Sequence, residues 1–310
     1  MAATACAACA PAVPALRIPA EIATHDDGRA PVGDLYRAYA ALAREGWTLE
    51  IICESQPAGA TRRLPIIALR SPYAGPAVWI LSGIHGEEPA GPNAIAAAVA
   101  DIARLGRARA VVLLPLLNPH GYARNWRYLN MAAYSEQVDG ESVGDSSHLL
   151  PDAATPGRAR APAPSSPEAD AVTRWILAQA KRYPPEVSID LHEDNLIHEG
   201  YVYSQGARGA ADPLAIEAVA VLRASGVPIK AEGLTRFGEP VEGGVIGPVI
   251  DSSIDELMSA ATVIPDRPGP QAATVLVFET PAAALPLPAR VEAHAALLRK
   301  LTAALAPTVD

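Results

Sequence analysis

Apolar positions along the chain fall into two kinds of segment. Some are short continuous runs rich in Val, Ile and Leu, and others repeat at helical spacing, with Gly-, Pro- and Asn-containing turns between them. The run beginning at Ala77 enters a Gly-rich turn that carries His85 and Glu88, and a helix follows with Pro89 or Pro92 in its first turn, continuing through Ala94, Ile95, Ala98 and Val99. Before it, Leu35, Tyr36, Tyr39 and Leu42 behind Asp34 predict a helix that stops near Gly46. Thr48 to Cys53 and Ile66 to Leu69 read as a hairpin at a sheet edge, where Pro65 is tolerated. Ala110 to Leu117 is nearly all apolar, as an interior strand should be, and runs into the turn Asn118-Pro-His-Gly121. From there to about Pro167 the pattern is irregular.

Beyond Pro167, Ser166 is a candidate cap for a helix through Val172, Trp175, Ile176 and Ala180. Strands are expected at Val187 to His192, Tyr201 to Ser204, Val227 to Ala231 and Thr274 to Glu279. Helices are expected through Leu214, Ile216, Val219 and Leu222, and from Val291 to Leu305, with a Gly-rich stretch at 232–248. Strands alternating with helices predict a single α/β domain, a twisted mixed sheet of about eight strands with helices on both faces, spanning 31–310 behind a loose N-terminal arm at 1–30.

Composition agrees with this picture and narrows the partners. A chain of 310 residues, 50% hydrophobic, can fill one large core. Its 25 Lys plus Arg against 34 Asp plus Glu leave it mildly acidic, with no basic run to follow a phosphate backbone, so nucleic acid is not an expected partner. No window approaches the roughly 18–20 apolar residues of a membrane span. Cys6, Cys9 and Cys53 cannot all pair, so a reducing, cytoplasmic compartment is expected; the first twenty residues make a poor signal peptide, although their Ala-x-Ala triplets leave export open. The Cys6/Cys9 pair has no companion motif and is read as incidental. Oligomeric state is not readable.

The chemistry begins with His85 and Glu88. Taken alone, His-x-x-Glu is more often a surface turn than a metal site. His192 ends another apolar strand, however, and His, Glu and His supply the N, O and N ligands of a catalytic zinc with one position open. Glu279 also ends an apolar strand, where an unpaired carboxylate is costly, and beside a metal it can serve as general base and acid. Asp190 lies two residues before His192 and should project from the same face, either to orient that ligand or to pair with a nearby base. Glu232, Glu239 and Glu242 could favour a basic substrate or simply be solvated.

In this order, His85-Gly-Glu-Glu88, Asn118-Pro-His-Gly121, Ser166-Pro-Glu168, Asp190-Leu-His192 and Phe278-Glu279 resemble the zinc metallocarboxypeptidases over about residues 77–285. The resemblance implies a zinc-carboxypeptidase-like fold and one zinc ion on His85, Glu88 and His192, with Glu279 as base. It also implies an arginine that polarises the scissile carbonyl. By its distance from Asn118, similar to that in the bacterial murein-peptide amidase branch, Arg127 takes that role, and Arg124 is the second candidate.

Two features depart from the family. The Asn-Arg pair that grips a terminal carboxylate is matched only by Leu129-Asn130-Met131, leaving Asn130 as the nearest substrate-binding candidate, and no Tyr follows Tyr203 to supply the family's substrate-contacting tyrosine. The expected function is hydrolysis of a peptide or amide bond, as in a carboxypeptidase or murein-peptide amidase. A deacylase of small N-acyl amino acids, similar to succinylglutamate desuccinylase and aspartoacylase, is the alternative, and a non-catalytic metal- or peptide-binding protein is the reading from another class.

Overall fold

The computed structural model describes residues 22–57, 59–129, 145–152, 154–155, 157–259 and 269–306. In chain order the elements are α1 (Val32–Ala40), β1 (Thr48–Ser55), β2 (Leu64–Arg70), β3 (Ala77–Ser82), α2 (Ala90–Ala97), α3 (Val99–Gly106), β4 (Ala110–Leu114), α4 (Pro119–Arg124) and α5 (Pro167–Ala180). They continue with β5 (Pro185–Asp194), β6 (Tyr201–Ser204), α6 (Pro213–Ala224), β7 (Glu232–Leu234), β8 (Pro240–Glu242), β9 (Val245–Ile246), α7 (Ile254–Ser259), β10 (Thr274–Pro281) and α8 (Leu287–Leu305).

The strands form one sheet in the order β1-β2-β4-β3-β5-β10-β6-β9-β8-β7. Its centre, β4-β3-β5-β10, is parallel, as continuous apolar runs buried on both faces require. The sheet holds ten strands rather than about eight, because the Gly-rich stretch expected to be loop contributes β7, β8 and β9 as a small antiparallel extension. Those strands are two or three residues long, too short to show a period in sequence. The expected strand from Val227 to Ala231 is reduced to one bridge between Gly200 and Ile229.

Alternation along each strand sorts side chains to two cores. Val78, Ile80, Ile189, Leu191, Leu276 and Phe278 face the layer formed by α1, α2, α3, α6 and α8. Trp79, Leu81, Val112 and Val275 face the other layer, with Trp175 of α5 and Ile254 and Met258 of α7. Helices therefore cover both faces, and the even-numbered positions of β5 and odd-numbered positions of β10 share the α5 and α7 side.

Local signals explain most ends. Ser166 caps α5 by accepting from Ala169 N at 3.0 Å, and Asp212 caps α6 by accepting from Leu214 N at 2.9 Å. The helix expected after Pro89 is two, α2 and α3, joined at Ala98. The turn expected at Asn118 is the start of a helix, α4, because the Asn118 side chain accepts from Gly121 N at 2.9 Å. The first helix starts at Val32, ahead of Asp34, which lies in its first turn. Within the expected arm, residues 1–21 and hence Cys6 and Cys9 lie outside the described residues, whereas Arg29 is buried against the domain. Among the described residues no helix is long and apolar enough to cross a membrane.

Candidate active site

Three neighbouring parallel strands, β3, β5 and β10, bring the expected residues to one end of the sheet. His85 and Glu88 follow the end of β3, while His192 near the end of β5 pairs in register with Glu279 of β10. Parallel strands run less than about 5 Å apart, so these side chains on one face are forced together.

His85 Nδ1 lies 2.8 Å from Glu88 Oε1, and His192 Nδ1 lies 2.9 Å from Glu88 Oε2 and 3.1 Å from His85 Nδ1. The three ligand-type groups keep their donor atoms within 4.8 Å of one another. Zinc bonds of about 2.0–2.2 Å in a tetrahedron separate ligand atoms by roughly 3.4 Å, so the three edges need to open only slightly around an ion. Two ring nitrogens facing each other across a carboxylate are a poor arrangement for hydrogen bonding alone and a good one for a cation. The donor set fits zinc.

The charges confirm how tightly the groups interact. Burial disfavours charge on Glu88, yet the facing rings of His85 and His192 hold its carboxyl well below the usual range. Burial also opposes a proton on His192, but Asp190 and Glu88 outweigh it and raise that pKa. For His85, burial and the Arg127 charge lower it. Asp190 Oδ2 sits 3.3 Å from His192 Nε2, on the opposite side of the ring from the nitrogen that faces Glu88 and His85.

The turn that carries His85 and Glu88 is held by the Asn118 side chain. Its amide donates to the carbonyl oxygens of Ile84, Arg127 and Tyr128 at 3.2, 3.2 and 3.0 Å, tying the ligand turn to the segment that presents Arg127. Gly86 packs so closely on Gly121 that a Cβ there would meet the Gly121 carbonyl carbon at 2.0 Å, so both positions need glycine for the approach. Arg29 donates to Gly86 O at 3.0 Å and to Asn125 Oδ1 at 2.7 Å, a support that sequence reading missed because it was placed in the arm. Glu193 accepts from Ala90 N at 2.6 Å at the start of α2, is paired with Arg290, and donates its own backbone N–H to Glu88 Oε2 at 3.2 Å.

Arg127 reaches Glu87 Oε1 and Glu88 Oε1, both at 3.0 Å, and lines the cavity in front of the cluster. Although burial opposes its charge, Glu88 and Glu87 hold the guanidinium charged. Arg124, in contrast, is exposed on α4 and lines a separate depression with His120. Asn130 lies outside the described residues. Glu279 lines the same cavity as the cluster; burial, and then the negative charge of Glu88, push its carboxyl well above the ordinary range, and its Oε2 is buried without a hydrogen-bond partner.

The cavity measures about 290 Å³. It also holds residues that sequence reading had not assigned, Asp145, Asp251 and Asp255 together with Tyr201 and Tyr203, and both Arg236 and Phe237, the two residues weighed for the space of the missing tyrosine. The two tyrosines come from β6 and so precede the Gly-rich stretch, which is why a search after Tyr203 found none. Glu239 is also in the lining and accepts from Tyr203 Oη at 3.0 Å, while Glu232 and Glu242 are exposed outside it. His120, His148 and His198 do not line it.

A family model described as the succinylglutamate desuccinylase/aspartoacylase catalytic domain matches residues 74–139, the segment from β3 through Arg127. Among solved structures, a Shewanella amazonensis protein assigned to the metallopeptidases is 26% identical, covers 88% of this chain and 92% of its own, and superposes with a TM-score of 0.66. The fold is zinc-carboxypeptidase-like. The same fold is shared with the metallo-carboxypeptidase from Burkholderia cenocepacia, at 14% identity, 86% and 67% coverage and a TM-score of 0.52. Carboxypeptidase A from Helicoverpa armigera shares it at 13% identity, 88% and 71% coverage and a TM-score of 0.56. No curated protein matches the sequence. The partial family-model match and the shared fold thus point to a metallopeptidase or deacylase-like hydrolase.

Proposed function

We propose that this zinc-carboxypeptidase-like chain hydrolyses a peptide or amide bond, with His85, Glu88 and His192 holding one zinc ion, Glu279 as general base and acid, and Arg127 stabilising the oxyanion. The observation that carries this reading is Glu279. A carboxylate oxygen buried in a cavity wall without a hydrogen-bond partner is expensive to keep, and this one faces the same space as a three-donor metal cluster.

When bound, a zinc ion supplies positive charge that acidifies water and polarises a carbonyl. The protein's own residues do the rest. Glu279, relieved of its unfavourable burial by that neighbouring charge, takes the proton from the attacking water and returns it to the leaving amine. Arg127, kept charged by Glu87 and Glu88, turns a donor toward the oxygen of the former carbonyl as negative charge builds on it. Asp190 behind His192, Glu193 at the start of α2 and Asn118 beneath the ligand turn hold these groups in place, so little reorganisation is needed during reaction.

A deacylase acting on small N-acyl amino acids is favoured by one observation, the match of residues 74–139 to the desuccinylase/aspartoacylase catalytic domain. The cavity, at about 290 Å³, suits either a small N-acyl amino acid or the end of a peptide. The test is hydrolysis by purified, zinc-loaded protein of C-terminal peptides, murein fragments and N-acyl amino acids, repeated with Glu279→Gln. Loss of hydrolysis in a folded variant that still binds zinc supports the assignment, and wild-type rates in that variant overturn it.

A further inference from the structure

Outside the active-site cavity, a second depression of about 320 Å³ opens against α4. Two arginines line it, Arg62 from the connection between β1 and β2 and Arg124 from the end of α4. Both are exposed, and neither side chain makes a hydrogen bond or an ion pair among the described residues. In a chain with a formal net charge of -9, such an uncompensated positive recess stands out.

The packing around α4 brings the two guanidinium groups to one place. His120 and Arg124 stand four residues apart on that helix and so share a face. His120 is only 7% exposed; its Nε2 meets the Ser55 carbonyl at 3.2 Å, and the Arg62 carbonyl is close enough to favour a proton on the same ring. The ring therefore holds the strand connection that carries Arg62 against the helix that carries Arg124. Gln56 braces that connection, donating to Ala60 O at 3.2 Å and accepting from Arg63 Nε at 3.0 Å. On the other flank, His25 N donates to Ala123 O at 2.9 Å, which keeps Ile22 in the lining.

Like charges in one depression repel, and a bound counter-ion relieves them. Glu168 acts on His120 from outside, but among the described residues no carboxylate lines the depression. An anion is thus the ligand class that the charge selects. Guanidinium forks match phosphate oxygens in pairs, and the Thr61 hydroxyl adds one more donor to the lining. Ile22 and Ala123 supply apolar surface beside them, and the volume is that of a small organic ligand rather than of a bare ion.

We propose that the recess between Arg62 and Arg124 binds a phosphate monoester of a small organic molecule, apart from the active site and independently of the hydrolase chemistry. The experiment is calorimetric titration of zinc-loaded full-length protein with phenyl phosphate, with benzoate as the carboxylate control. Phenyl phosphate is expected to bind at about millimolar or tighter, as two charge-assisted contacts allow, and more tightly than benzoate. Arg62→Ala and Arg124→Ala should each weaken it about tenfold, and both positions are exposed, so these variants should fold as the wild type does. Arg62→Lys should recover only part of the loss, because an ammonium keeps the charge without the fork. Raising salt should weaken binding further. Arg127→Ala should leave it unchanged, which separates this recess from the cavity in front of the metal cluster. No binding by the wild type overturns the proposal, as does wild-type affinity in both Arg62→Ala and Arg124→Ala, or loss of binding in Arg127→Ala. Benzoate bound as tightly as phenyl phosphate would overturn the choice of a phosphate ester.

Discussion

The two walls of the cavity are built in opposite ways. On one side His85, Glu88, His192 and Glu279 stand at the ends of three adjacent parallel strands, with Asn118, Arg29, Asp190 and Glu193 fixing turn, ring and helix behind them. On the other, Asp145, Arg236, Glu239, Asp251 and Asp255 come from turns, loops and a six-residue helix. Arg236 stacks its guanidinium 4.5 Å from the ring of Phe237, which is itself exposed at the rim. The first wall is a consequence of strand register and tolerates little change. The second can vary without disturbing the sheet, which under the proposed function suits it to choosing the substrate, with the proposed chemistry left to the first wall.

Substitutions on the rigid wall should therefore act on rate and metal, and the contrast is largest for the arginines. Arg127→Ala should lower kcat about 10²–10³-fold in steady-state assays, as loss of an oxyanion donor does, while Arg124→Ala on the far side of α4 should leave the rate close to wild type. Equal losses in the two would mean that Arg127 has no special position. Next in size is the carboxylate behind His192. Asp190→Asn should weaken zinc about 10–100-fold in competition with a chelator, and unchanged affinity would remove it from the metal site.

Zinc affinity should also fall as pH falls, because the ligand nitrogens must be free of protons. His192 sets the window, since Asp190 and Glu88 raise its pKa and so let the proton compete at higher pH than at an ordinary imidazole. The sign can be read from proton release on mixing zinc with the metal-free protein. Smaller again is the effect of the Asn118 network. Asn118→Ala leaves three carbonyl oxygens short of a donor and should cost about 1–3 kcal/mol in denaturant unfolding, with zinc binding weakened as the ligand turn loosens.

A last effect, confined to acid pH, lies away from both walls. His294 is buried beside Thr280, and burial with the Arg290 charge pushes its pKa down from 6.5 to about 3. The folded state keeps it neutral, so its contribution is complete above pH 6.5 and is lost as pH falls toward 3. His294→Gln should flatten the fall in stability below that pH by at most about 1.4 kcal/mol per pH unit, and a steeper fall in the variant would contradict the sign.

The rigid wall was readable before any coordinates because its residues follow long apolar runs. Ala77 onward, Val187 to His192 and Thr274 to Glu279 each declare a strand, and a charged residue at such an end stands out. Asp190 followed from the two-residue period. The other wall carries no such signal. Asp255 is one acidic residue among several, and its burial depends on α7 docking over β5 and β10, a packing that six residues cannot announce. Arg29 was hidden differently, since its segment lacks periodicity and is held by hydrogen bonds to backbone atoms almost sixty residues or more away. Asn118 was noticed as a turn former, but its three donor contacts arise only when the chain returns past Arg127 and Tyr128.

The most direct measurement is anomalous diffraction at the zinc edge from crystals of the zinc-loaded protein. The expected result is one ion about 2.0–2.2 Å from His85 Nδ1, a Glu88 carboxylate oxygen and His192 Nδ1, with the Glu279 carboxylate facing it across the cavity. A zinc peak between Asp190 and Asp255, or none at the His85, Glu88 and His192 cluster, would contradict the account.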